Sequence, residues 1–90
     1  MKLKANLLGN RITMARRSCL MSELELASEA GIAANLLRAF EAGQRWPRLD
    51  TLALIAEATG FPVIWFIEDW LENPSLFLLP GSTNDLFQAV

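Results

Sequence analysis

The stretch Met21–Pro47, MSELELASEAGIAANLLRAFEAGQRWP, decides how this chain folds. Ser22 stands where a helix N-cap belongs, and Glu25 follows three residues later. At that spacing the serine hydroxyl bonds the Glu25 amide while the carboxylate reaches back to the Ser22 amide. A helix is expected over about Glu23–Ala30, with Leu24, Leu26, Ala27 and Ala30 as its apolar positions. Gly31 ends it, because glycine enters the left-handed conformation at no steric cost. A second short helix is expected from about Ala33 to Glu41, with Leu37 and Phe40 on one face. Ala42-Gly43 stops it. Gln44–Arg48 then reads as a loop, since Pro47 disfavours helix through Trp46.

Outward from this pair the same signals recur. Leu8, Ile12, Ala15 and Cys19 keep helical spacing and predict a first helix over about Asn6–Cys19. Leu52, Ile55 and Ala56 predict another over Leu49–Thr59, closed by Gly60. Pro62 suits the first turn of a last helix, about Pro62–Leu71, which Asn73-Pro74 terminates. The remainder differs in character: an apolar run Leu76–Leu79, then Pro80-Gly81, then Ser82–Val90, where a short helix holding Leu86 and Phe87 is expected. With no strand pattern, the fold class is all-α: a five-helix domain over 1–73 and an apolar tail over 74–90.

Ninety residues, 52% of them apolar, suit one domain with a small core. A single cysteine, Cys19, excludes an internal disulfide and is expected as a small buried hydrophobe. The chain has no histidine to activate it. Without histidine, a cysteine pair or a glycine-rich phosphate loop, no metal, cofactor or catalytic site is expected. The N-terminus does not read as a signal peptide, because Gly9-Asn10-Arg11 interrupts Leu7-Leu8. The apolar runs Val63–Ile67 and Leu76–Leu79 are too short to span a bilayer, so no membrane partner is expected.

Net charge is −2, yet its distribution is uneven. Residues 1–48 carry all eight basic side chains against four acidic ones. Residues 49–90 carry six acids and no base. A protein that touches phosphate with one half needs only that half to be basic.

Leu8–Asp69 resembles the helix-turn-helix family of phage repressors, Cro proteins and Xre-type regulators. The residues that carry the likeness are Leu8-Gly9, Ile12, Arg16, Met21-Ser22, Leu26-Ala27, Gly31-Ile32, Leu37, Phe40-Glu41, Gly43, Trp46-Pro47, Leu52, Ile55-Ala56 and Gly60. The resemblance implies a lambda-repressor-like fold, an ion pair between Arg16 and Glu41, and a second helix of the pair that enters the DNA major groove. Base-reading positions then fall on Ala34, Asn35 and Ala39, with Leu36 and Arg38 nearby. Ser22, Glu23, Gln44, Arg45 and Arg48 occupy the phosphate-contacting positions, and Arg11 is added to the DNA-binding set for its charge. Trp46 is expected to pack rather than stack on a base.

Two departures bear on function. Glu23 puts a carboxylate where the family often has glutamine, and Ala33 replaces the usual Ser/Thr cap, at about 1 kcal/mol of helix stability. The last helix is apolar nearly all round. Ile64, Trp65 and Trp70, with Leu76, Phe77 and Leu79 of the tail, are expected to form a homodimer interface. Such pairing sets two recognition helices about 34–36 Å apart, one turn of DNA. The expected function is a cytoplasmic, bacterial or phage-encoded repressor-like regulator that binds a short palindromic operator in double-stranded DNA. The alternative is a protein-interaction module on the same scaffold, contacting its partner through the tail or the second helix of the pair.

Overall fold

A computed structural model describes the backbone of residues 2–72 and the side chains of 7–69. Five helices follow one another: α1 (Lys2–Ser18), α2 (Glu23–Ala30), α3 (Ala34–Glu41), α4 (Leu49–Thr59) and α5 (Val63–Glu72). The expected all-α class holds, and no strand occurs among the described residues. The tail over 74–90 lies outside them.

The core draws on every helix. Leu8, Ile12 and Ala15 of α1 meet Leu26, Ala27 and Ala30 of α2 and Leu37 and Phe40 of α3. Leu52, Ile55 and Ala56 of α4 and Phe66 and Ile67 of α5 close it from the other side. Trp46 packs half-buried against this cluster. These are the positions that helical spacing assigns to the inside, because every third or fourth residue returns to one face.

Helix ends explain where the elements stop. The Ser22–Glu25 capping box is complete: Glu25 N–H donates to Ser22 Oγ at 3.1 Å, and Ser22 N–H donates to Glu25 Oε1 at 2.7 Å. Gly31 adopts φ 74°, and the Ile32 amide reaches back to the Ala27 carbonyl at 2.9 Å. Ala33 is the N-cap of α3 and makes no side-chain hydrogen bond; the helix proper begins at Ala34, one residue later than the sequence suggests. α1 begins earlier than apolar spacing indicates, at Lys2, because Lys2–Ala5 contains good helix formers and no breaker.

The end of α1 repeats the α2 solution with a different residue. Leu20 N–H donates to Arg17 O at 3.0 Å and Met21 N–H to Arg16 O at 3.2 Å, the bond pattern of a Schellman close. Leu20 takes the left-handed position at φ 59°, where glycine is the usual occupant, and is 91% exposed. Cys19 is half-buried rather than fully buried, and its Sγ–H donates to the Thr59 carbonyl at 3.1 Å.

Candidate nucleic-acid interface

α3 is fixed on one side and open on the other. Its inner face buries Leu37 and Phe40. Behind them, α1 approaches so closely that a Cβ on Gly9 would lie 2.5 Å from the Phe40 carbonyl oxygen and 2.7 Å from that of Glu41. Only a residue without a side chain fits there.

The expected Arg16–Glu41 pair anchors the same seam. Arg16 Nε donates to Glu41 Oε2 at 2.8 Å and Nη2 to Oε1 at 3.1 Å, a two-pronged contact. Thr13 Oγ1 donates to Glu41 Oε1 at 3.0 Å, and Arg16 Nη1 donates to the Met21 carbonyl at 3.0 Å. The side chains retain only 12% and 7% of their exposure. The hydrogen bond to Glu41 raises the Arg16 pKa, against the lowering effect of desolvation. One guanidinium therefore ties α1, the α1–α2 turn and the end of α3 together.

On the outer face Asn35 and Arg38 are exposed, and Ala34, Leu36 and Ala39 are half-buried. Asn35 makes no side-chain hydrogen bond among the described residues, whereas Arg38 Nε donates to Glu23 Oε1 at 3.3 Å. Arg38, Glu23 and Ser22 line one open cleft with Arg16, Arg17 and Glu41, where the start of α2 faces the end of α3. Arg17 is the member that the sequence reading missed. It is exposed and makes no ion pair among the described residues. Its place in the last turn of α1, one residue past the anchoring Arg16, is the signal that was there to use.

Gln44 and Arg45 are exposed in the loop after α3, and Arg45 has no ion-pair partner among the described residues. Arg48 donates to Asp50 Oδ2 at 3.3 Å, with both side chains more than half exposed. An exposed pair of this kind contributes little and exchanges readily for another anion.

Arg11 points elsewhere. Its Nε and Nη2 donate to the two carboxylate oxygens of Asp69 at 3.2 and 3.0 Å. Its Nη1 donates to Glu68 at 3.0 Å and to the Trp65 carbonyl at 3.2 Å. The guanidinium carbon also lies 4.8 Å from the Trp65 ring centroid, within cation–π range. The hydrogen bond to Asp69 raises its pKa despite partial burial. Arg11 is thus a clamp between α1 and α5, neutralised by acids from the other half of the chain, and it leaves the set of phosphate-contact candidates.

α5 also divides the expected interface residues. Ile64 is 58% exposed. Trp65 packs within the subunit, with ring centroids 4.5 Å from Phe61 and 5.1 Å from Phe66. The Trp70 side chain, with Leu76, Phe77 and Leu79, lies outside the described residues. No single helix among the described residues is long and apolar enough to cross a membrane. Nor does any group of three or more potential metal-ligating side chains converge among them.

Two short helices crossing at a glycine turn, the second presenting a face that no described residue covers, define a helix-turn-helix protein. A family model described as Helix-turn-helix (HTH_3) matches residues 12–66, from α1 to the middle of α5. The chain belongs to this Xre-like family of DNA-binding regulators. Comparisons with curated proteins and with solved structures return no match.

Proposed function

We propose that this protein is a sequence-specific regulator that binds a short palindromic operator as a homodimer, with α3 in the major groove. The observation that carries this is the outer face of α3, where Asn35 is exposed beside Arg38, its amide C=O and NH2 both without a partner among the described residues. An asparagine in this setting pairs with the N6 and N7 edge of adenine. Ala34, Leu36 and Ala39 offer apolar contact to thymine methyls. Ser22, Arg17, Gln44, Arg45 and Arg48 supply phosphate contacts around the helix. The Ser22 hydroxyl accepts from Glu25, which leaves its own proton to donate. Dimer formation rests on the exposed Ile64 of α5.

Selection of bound sequences from a random DNA pool tests this reading. The expected outcome is an inverted repeat with half-sites about one helical turn apart. Affinity for mixed DNA should fall steeply with salt, by about 0.9 in log–log slope for each phosphate contact. Recovery of no sequence, with no salt-dependent affinity, contradicts the proposal. Sedimentation as a monomer at tens of micromolar removes the homodimer.

The second reading, a protein-interaction module, draws support from one surface. Leu20 is 91% exposed and Leu24 is 63% exposed, next to a groove lined by Met21, Leu24, Glu25, Ser28 and Glu29. That reading predicts negligible DNA affinity at any salt concentration.

A further inference from the structure

We infer that Glu23 is a positioning residue that aims Arg38 at a guanine. The inference rests on the proposal that α3 faces DNA, and it deepens that proposal by assigning a base to Arg38 and a task to an acid that otherwise belongs poorly beside phosphate.

The geometry is specific to one edge of the guanidinium. Glu23 Oε1 accepts from Arg38 Nε at 3.3 Å, across the gap between α2 and α3. Arg38 Nη1 and Nη2 make no hydrogen bond among the described residues. A guanidinium is planar and rigid, so fixing the Nε edge fixes the direction of the opposite fork. Guanine presents O6 and N7 to such a fork in the major groove, and this is the most common specific contact to a base. A free arginine on an exposed helix turn would instead follow the nearest phosphate.

Glu23 is well placed for the task. It is the first residue of α2, directly after the capped Ser22, so its backbone is held by a closed hydrogen-bond ring. Its side chain is 34% exposed, whereas that of Arg38 is 54% exposed. The anchor is therefore the better covered of the two. It lines the same cleft as Arg16 and Arg38. In free protein this exposed pair is weak. A DNA groove closing over it would exclude water and strengthen both the Glu23–Arg38 contact and the contact it aims. The rest of the reading face adds weight: Ala34, Leu36 and Ala39 carry no donors, so Arg38 and Asn35 must supply the polar discrimination.

Repulsion of phosphate and positioning of Arg38 leave separable signatures for Glu23. Repulsion acts on every sequence alike, whereas positioning acts at one base pair in each half-site. The test is selection from a random DNA pool by the full chain and by its Glu23→Ala, Glu23→Gln and Arg38→Ala variants. Thermal melting accompanies it to show that each variant is folded. The wild type should select a guanine whose preference falls about tenfold or more in Arg38→Ala and in Glu23→Ala. Glu23→Gln, which still offers an oxygen to Nε, should keep part of that preference. Both Glu23 variants should bind mixed DNA more tightly than wild type. If Glu23→Ala keeps the full guanine preference that Arg38→Ala loses, or if Arg38→Ala weakens all sequences equally, the positioning role is overturned while DNA reading stands. If the wild type selects no sequence, the reading of α3 falls and this inference with it.

Discussion

The two faces of α3 hold their charges by different means. Toward α1, Arg16 and Glu41 meet at 2.8 Å with almost no exposure, and Gly9 lets the backbones close to contact. Toward solvent, Arg38 and Glu23 meet at 3.3 Å, with 54% and 34% of their side-chain surface exposed. The inner pair cannot lose one partner without leaving a bare charge in a poorly solvated seam. The outer pair can open at small cost and offer its nitrogens to something else. A recognition helix needs both conditions at once: a rigid back, so that its position is defined, and an uncommitted front.

Breaking the back should have the largest effects. Glu41→Ala strands the Arg16 guanidinium and should lower unfolding free energy by about 3 kcal/mol in denaturant titration. Replacing both residues with apolar side chains of similar volume should cost far less. Gly9→Ala drives a methyl group into two backbone carbonyls and should cost about 2 kcal/mol, read as a lowered melting temperature. A Gly9→Ala protein as stable as wild type would mean that α1 and α3 do not approach so closely that a Cβ at Gly9 would lie 2.5 Å from the Phe40 carbonyl oxygen.

Changes at the front should leave folding alone. Asn35→Ala should alter stability by less than about 0.5 kcal/mol, since its side chain is exposed and makes no hydrogen bond among the described residues. It should remove about 1–3 kcal/mol of discrimination at one base pair per half-site, seen in competition binding against single-base operator variants. A uniform loss across all sequences would move Asn35 from base reading to phosphate contact. One substitution should bring a modest gain in stability. Leu20→Gly relieves a left-handed leucine that buries almost nothing. Strain relief net of glycine's chain entropy should raise stability by about 0.5–1 kcal/mol in thermal melts, with DNA affinity unchanged.

What was legible in the amino-acid sequence follows the range of the interactions. The Ser22–Glu25 box, the Gly31 turn and the apolar spacing of α2 to α4 are local, and their residues lie within a few positions of one another. The Arg16–Glu41 pair spans 25 residues and came from family likeness, not from spacing. Arg11 shows where composition misleads. It counts as one of the basic half's charges, yet it is neutralised by Glu68 and Asp69 from the acidic half, 57 and 58 residues away. Gly9 looks like a helix breaker in one dimension and is a contact point in three. The strain at Leu20 was likewise hidden, because leucine carries no turn signal and only the hydrogen-bond closure at the end of α1 imposes it.

Chemical shifts of the backbone amides, followed during titration with a selected operator duplex, show which face of the protein meets DNA. The largest changes should fall on the start of α2, on Ala34–Ala39 and on Gln44–Arg48, while Arg11 and its contacts to Glu68 and Asp69 hold still. Changes centred on α5 or on the Leu20–Leu24 surface, with α3 unmoved, would contradict DNA reading by α3.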